Sequence, residues 1–207
     1  MVAVRSATDL RQALTGGLAA AVTEKGYAAS TIADVVAHAR VSKRTFYQHF
    51  ADKEACLMAL YEQGCEHLIG VLGGASADGP WRDVVSDSVT AYLTALENMP
   101  AVSRTLLVEI QAAGPSAYRL RQQMQRRFAD TIVGLTGRNP EVPPLAPDLA
   151  IALVGGINEL LLQASDPYTG GGTSFTSLTG TIERLVFAVL SASSGGMSTP
   201  GGELTMR

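Results

Sequence analysis

Residues 31–50 read Thr31-Ile32-Ala33-Asp34-Val35-Val36-Ala37-His38-Ala39-Arg40-Val41-Ser42-Lys43-Arg44-Thr45-Phe46-Tyr47-Gln48-His49-Phe50. Two short helices joined by a tight turn account for the stretch. Thr31 is a good N-cap, because its hydroxyl can accept from an orphan backbone N–H of the first turn. Ile32, Val35, Val36 and Ala39 recur behind it at helical spacing. Ser42 caps a second helix in the same way, with Phe46 and Phe50 facing inward. The four linking residues, Ala39-Arg40-Val41-Ser42, give the spacing of a helix-turn-helix. In that motif the first helix crosses the DNA backbone and the second enters the major groove. Val35, Ala39, Val41, Phe46 and Phe50 can hold the pair together from inside. Lys43, Arg44, Thr45, Tyr47 and Gln48 are then left outward or to the sides, and these are the residue types that meet phosphates and base edges.

Upstream, Leu10, Leu14, Leu18, Ala21 and Val22 recur at three and four, and Gly26 is placed to stop that first helix. Downstream, Asp52 caps a longer fourth helix with Cys56, Leu57, Leu60, Leu68, Ile69 and Leu72 on its apolar positions. A Gly-Ser-Pro break spans 73–80. A fifth helix is expected over 81–99, a sixth over 100–113 and a long seventh after Gly114-Pro115, through Leu120, Met124, Phe128, Ile132 and Leu135. A Pro-rich loop covers 137–147. Two late helices, 147–164 and 175–190, are separated by the glycines at 170–172. The tail, 193–207, is rich in Gly, Ser and Pro and is expected to be disordered. The reading is all-α, about nine helices, with no convincing strand and no repeat. Residues 1–52 form a helix-turn-helix domain and 53–192 a larger helical domain.

The chain has 207 residues and is 46% hydrophobic, enough for a real core without disulfides or metals. No apolar run reaches the ~18 residues of a membrane span, and residues 1–10 lack the apolar stretch of a secretory signal. A cytoplasmic protein with no membrane partner is the expectation. The net charge of −3 hides an asymmetry: residues 1–60 carry net +2 and residues 61–207 net −5. Between Arg40 and Phe50 stand three cations and no carboxylate. A basic end on an acidic body fits a DNA reader joined to a domain with another task. Cys56 and Cys65, about half a helical turn apart, could not pair within one helix. Buried thiols are the plain reading and a redox switch the alternative.

At these residues the chain resembles the TetR family of one-component transcriptional regulators. The resemblance rests on Gly26-Tyr27, Ser30-Thr31, Val41-Ser42, Thr45-Phe46-Tyr47-Gln48-His49-Phe50 and Lys53-Glu54, at the family's spacing. It covers about the first 60 residues. It implies double-stranded operator DNA as partner and a small-molecule effector. It also implies a homodimer through the last two helices, and most often a repressor. Phosphate contacts are implied for Thr31, Ser42, Tyr47, His49 and Lys53, with Lys43, Arg44, Thr45 and Gln48 at base edges. Arg40 stands where the family usually has glycine. Either the turn differs there, or its strain is tolerated and Arg40 adds a phosphate contact.

For the larger domain the residues offer candidates of lower specificity. Small residues beside Leu153, Val154, Leu160 and Leu161 suit close helix packing. Trp81, Tyr92, Met99, Leu106, Ile110, Tyr118, Met124 and Phe128 are candidate ligand-wall residues, and core packing is the plain alternative for each. Glu159 is a candidate polar ligand contact. Glu97, Glu109 and Asn158 also sit among apolar neighbours, where a surface or interface role is the simpler reading. Arg119, Arg121, Arg126 and Arg127 read as a solvated face. No Ser/His/acid elbow, phosphate loop, HExxH or CxxC is present, so no enzyme, cofactor or metal is expected. The competing reading is a helical ligand-binding or scaffold protein without DNA binding.

Overall fold

A computed structural model describes residues 6–74, 79–142, 144–165 and 172–194. Among them are nine α-helices and no strand: α1 (Ala7–Ala29), α2 (Ile32–Ala39), α3 (Lys43–His49), α4 (Lys53–Gly73), α5 (Trp81–Glu97), α6 (Pro100–Leu107), α7 (Gly114–Thr136), α8 (Pro147–Ala164) and α9 (Thr179–Ser194). No helix among the described residues is long and apolar enough to cross a membrane.

The first three helices start and stop where their side chains dictate. Ser6 and Asp9, and Thr31 and Asp34, form reciprocal capping boxes on α1 and α2, and Ser42 caps α3. Gly26 breaks α1 three residues before its end, at φ 76° and ψ 163°, a backbone open to glycine and strained for other residues. α1 and α2 cross closely at Gly17, where an added Cβ would lie 2.5 Å from the Val35 carbonyl oxygen.

Two apolar cores stack along the molecule. The first gathers Leu14, Leu18, Val22, Val35, Phe46 and Phe50 from α1–α3. It continues through Cys56, Leu57, Leu60 and Tyr61 of α4 to Met124 of α7. The second gathers Leu68, Leu93, Leu96, Leu153, Leu161, Ile182 and Leu190. α4 therefore runs through both, and its burial against two sets of helices makes it the strut between the basic end and the body.

Two elements differ from expectation. The sixth helix ends at Leu107 and tightens into a 3-10 turn over Glu109–Ala112. That turn seats Ile110 in the first core and lets Glu109 accept from Arg104 Nε at 3.0 Å. The last helix begins with a 3-10 turn, Phe175–Leu178, and then runs to Ser194, past the expected end at Leu190. Buried Ile182, Val186 and Leu190 recur at fours along it. The breaks expected at 73–80 and 170–172 and the tail from Ser193 fall partly on residues 75–78, 166–171 and 195–207, outside the described residues.

Candidate nucleic-acid interface and ligand cavity

α3 is held from below by Phe46, which is fully buried and packs edge-on to Tyr47 and obliquely to Phe50 at 5.5 and 5.8 Å between ring centroids. That anchoring turns the opposite face outward. Lys43, Arg44 and Gln48 are exposed, and Tyr47 is 59% exposed, an unusual position for a tyrosine with no surface partner to cover it. Ser42 accepts from Thr45 N at 3.0 Å, and the two hydroxyls lie 2.9 Å apart. His49 is half-buried, and its carbonyl accepts from Arg11 Nη1 at 3.2 Å. Arg11 also lies 4.4 Å from the Phe50 ring. It thus ties α1 to the end of α3, a positioning contact for which the sequence gives no local signal.

Arg40 resolves the two readings of the turn. It is the one non-glycine residue with positive φ among the described residues, at φ 53° and ψ 48°. Arg40 N donates to the Ala37 carbonyl and Val41 N to the Val36 carbonyl, at 3.2 and 3.1 Å. This is the paired bonding of a Schellman motif, with Arg40 at the position that glycine usually fills. The glycine-type turn is kept, and an arginine bears its strain with the side chain exposed.

Thr31 and Lys53 have partners inside the protein. Thr31 donates its hydroxyl to Asp34 Oδ2 at 2.7 Å. Asp34 also pairs with Lys25 at 2.7 Å. Hydrogen bonds from Lys25 and then Thr31 hold the Asp34 carboxyl well below the usual range. Lys53 Nζ donates to the carbonyls of Tyr27 and Ser30, both at 2.8 Å, and lies 4.1 Å from the Tyr27 ring. Two of its three donors thereby satisfy carbonyls at the end of α1, which leaves the third without a carbonyl.

In the body, α5, α7, α8 and α9 surround a cavity of about 1010 Å³, part of it open to solvent. Its wall includes Trp81, Val85 and Tyr92 of α5, Phe128 and Ile132 of α7, Leu153 and Ile157 of α8, and Ile182 and Val186 of α9. Leu72, near the end of α4, also lines it. A second, more polar cavity of about 690 Å³ adjoins it, with Leu106, Gln111, Arg121, Gln125 and Glu159 in its wall. Tyr92, Phe128 and Asn158 line both. The Tyr92 and Phe128 rings meet edge to face at 6.2 Å. Burial pushes the Tyr92 phenol up, so it stays a neutral hydroxyl.

Of the candidate ligand-wall residues, then, Trp81, Tyr92, Phe128, Leu106 and Glu159 meet at these cavities. Ile110 and Met124 pack into the first core. Met99 sits at the start of α6, packed against the second core. Tyr118 is 57% exposed and accepts from Gln122 Nε2 at 2.7 Å, well outside the cavity walls. It lies on the first turns of α7, whose inner face there belongs to Ala117. The α8 and α9 side of the cavity carries no aromatic residue: aliphatic side chains and Asn158 build it. Glu97 accepts from Ser174 Oγ and Thr176 N on the surface, and Arg127 pairs with Glu66 across α4 and α7. Both cysteines are buried free thiols, each pushed up to about 12 by burial. No group of three or more His, Cys, Asp or Glu among the described residues is placed to hold a metal.

Comparison with known proteins bears on this arrangement. Residues 18–60 match the family model described as bacterial regulatory proteins, tetR family. A stretch of 100 residues, 47% of this chain, is 32% identical to YxbF of Bacillus subtilis (strain 168), an uncharacterized HTH-type transcriptional regulator. That match spans 26% of the relative's own length. The structure of the transcriptional regulator FadR from Bacillus subtilis, in complex with stearoyl-CoA, superposes with a TM-score of 0.68 at 13% identity, covering 84% of this chain and 96% of that one. A tetR-family bacterial regulatory protein from Rhodococcus RHA1 superposes with a TM-score of 0.63 at 20% identity, covering 91% and 98%. At these identities the likeness to the solved structures is one of fold.

Proposed function

We propose, from the match of residues 18–60 to the TetR family of bacterial regulatory proteins, that the chain is a homodimeric DNA-binding transcriptional regulator, a repressor released from its operator by a small molecule. The observation that carries this reading is the course of α4. It begins at Lys53 beside the recognition helix and reaches the cavity wall at Leu72. Nineteen residues separate the two, about 28 Å of helix at 1.5 Å per residue. A ligand that fills the cavity acts on one end of a buried strut whose other end sets the recognition helix.

In this reading the contacts are those that the resemblance implies. Lys43, Arg44, Thr45 and Gln48 face base edges. Tyr47, His49, Ser42, Thr31, Arg40 and the free donor of Lys53 meet phosphates. A single seven-residue recognition helix reads few bases, so pairing two copies supplies affinity and symmetry. The dimer surface is assigned to α8 and α9. Ile151 and Leu149, 44% and 40% exposed on α8, are two of the four large hydrophobic residues left exposed among the described residues. FadR carries stearoyl-CoA in a body of the same fold, which supports a ligand-holding role for the body here.

The effector need change operator affinity only about 5- to 150-fold, a coupling of about 1–3 kcal/mol, and must itself bind less tightly to the DNA-bound protein by the same factor. A gel-shift titration against DNA upstream of the protein's own coding region, at rising salt, tests the reading. A salt-dependent complex with a two-half-site footprint is expected. No complex even at low salt would favour the scaffold reading instead.

A further inference from the structure

The cavity wall says what kind of molecule it accepts. Among the described residues none of its lining side chains is Lys, Arg, His, Asp or Glu. A charged group brought inside would lose its water and meet no counter-charge. The few polar side chains are mostly occupied by their own neighbourhoods. Ser88 Oγ donates to the Val84 carbonyl at 2.7 Å, and Thr136 Oγ1 to the Val133 carbonyl at 3.0 Å. Asn139 Oδ1 accepts from Glu141 N at 3.0 Å. Two groups differ. The Tyr92 hydroxyl and the Asn158 amide make no hydrogen bond within the described residues, and both side chains are only partly buried, so they open onto the cavity space. Both stand where the apolar cavity meets the polar one, with donor and acceptor capacity that an occupant of the cavity can use.

We propose that this cavity takes an uncharged, largely apolar ligand with one hydrogen-bonding group, and that Tyr92 and Asn158 read that group. The assignment rests on the ligand-responsive reading above and adds the ligand's chemistry to it. The apolar part lies against Val85, Ile132, Ile157, Ile182 and Val186. The polar end reaches the partition, where Tyr92 can donate or accept and Asn158 can do both. Arg121 and Glu159 in the adjoining cavity are one cation and one carboxylate, so they offer no net charge to draw an ion through.

Trp81 is the sole tryptophan of the chain and lines the cavity, so its fluorescence reports occupancy directly. Three probes of equal chain length separate the possibilities: 1-decanol, decanoate and decyltrimethylammonium, each titrated into the full-length protein. The alcohol is expected to perturb Trp81 with a Kd at least roughly tenfold below that of either ion. Tyr92→Phe, which removes only the hydroxyl, and Asn158→Ala should each weaken the alcohol roughly 3- to 10-fold, the worth of one hydrogen bond. An ion that binds as tightly as the alcohol overturns the assignment, with tight decanoate binding pointing to Arg121 as its receptor. So does a Trp81 signal that no probe changes. Operator binding is read in parallel: an alcohol that fills the cavity but leaves the DNA complex intact removes ligand release and leaves the ligand class standing.

Discussion

Arg40→Gly separates two roles that this residue combines. At φ 53° and ψ 48° a side chain crowds the following carbonyl, which costs about 1–2 kcal/mol. Glycine removes that cost but frees the unfolded chain, which takes back about 0.4–1 kcal/mol. The net expectation is a gain of roughly 0.5–1 kcal/mol, a rise in Tm of about 1–4 °C for a chain of this length. DNA binding should move the other way. One fewer phosphate neutralised lowers the slope of log affinity against log salt by about 0.9, and specific and non-specific duplexes should weaken together. Arg40→Ala is the matched control, because it keeps the strained backbone and loses the charge. Thermal unfolding of the three proteins reads the first effect. Fluorescence anisotropy on an operator and an unrelated duplex, over about 50–200 mM salt, reads the second. A glycine variant that melts no higher than the alanine variant refutes the strain. Salt slopes unchanged in both variants refute the phosphate contact.

Other perturbations have equally direct outcomes. Gly17→Ala would put a Cβ 2.5 Å from the Val35 oxygen and 3.0 Å from Ala39 N. Neither backbone atom can swing aside, so the denaturation midpoint should fall by the equivalent of about 1–3 kcal/mol, and an unchanged midpoint contradicts the close crossing. Lys53→Met keeps the stem but takes the ammonium donor from the Ser30 carbonyl and leaves the Tyr27 carbonyl with Ser30 N alone. It should lose about 1–3 kcal/mol of stability and also lower the salt slope by about one; a stability equal to the parent's would exclude the inward pairing. Burial raises the Cys56 and Cys65 thiols from 9.0 to about 12, so both remain thiols when folded at pH 8 and iodoacetamide should label them only on unfolding. The same shift makes stability fall as pH rises from about 9 towards 12, where only the unfolded chain's thiols ionise; rapid labelling of the native protein would refute the burial. Ile151→Asp on α8 should convert a dimer to a monomer in sedimentation, and an unaltered dimer would move the interface off that face.

The helix-turn-helix was readable residue by residue, because every signal that builds it is local. Thr31, Ser42 and Asp52 cap helices from within three residues, and Phe46 and Phe50 mark the inner face at helical spacing. Helix ends and apolar faces are set by neighbours in the chain, so they survive being read one residue after another. Even Arg40 was legible as a site of tension, although only its dihedral angles decided between a changed turn and a strained one. The tertiary structure decided what depends on distant partners. Lys53 faces the end of α1 because Tyr27 and Ser30, more than twenty residues earlier, present carbonyls there. Ile110 and Met124 went to the first core, while Trp81, Tyr92 and Phe128 went to a cavity wall. All are large and apolar, and their sorting depends on how α5, α7, α8 and α9 meet around α4. Composition fixes that such residues will be buried, since burial is proportional to apolar area and has no direction. Which of them line empty space rather than one another is a matter of packing geometry, and only the assembled helices supply it.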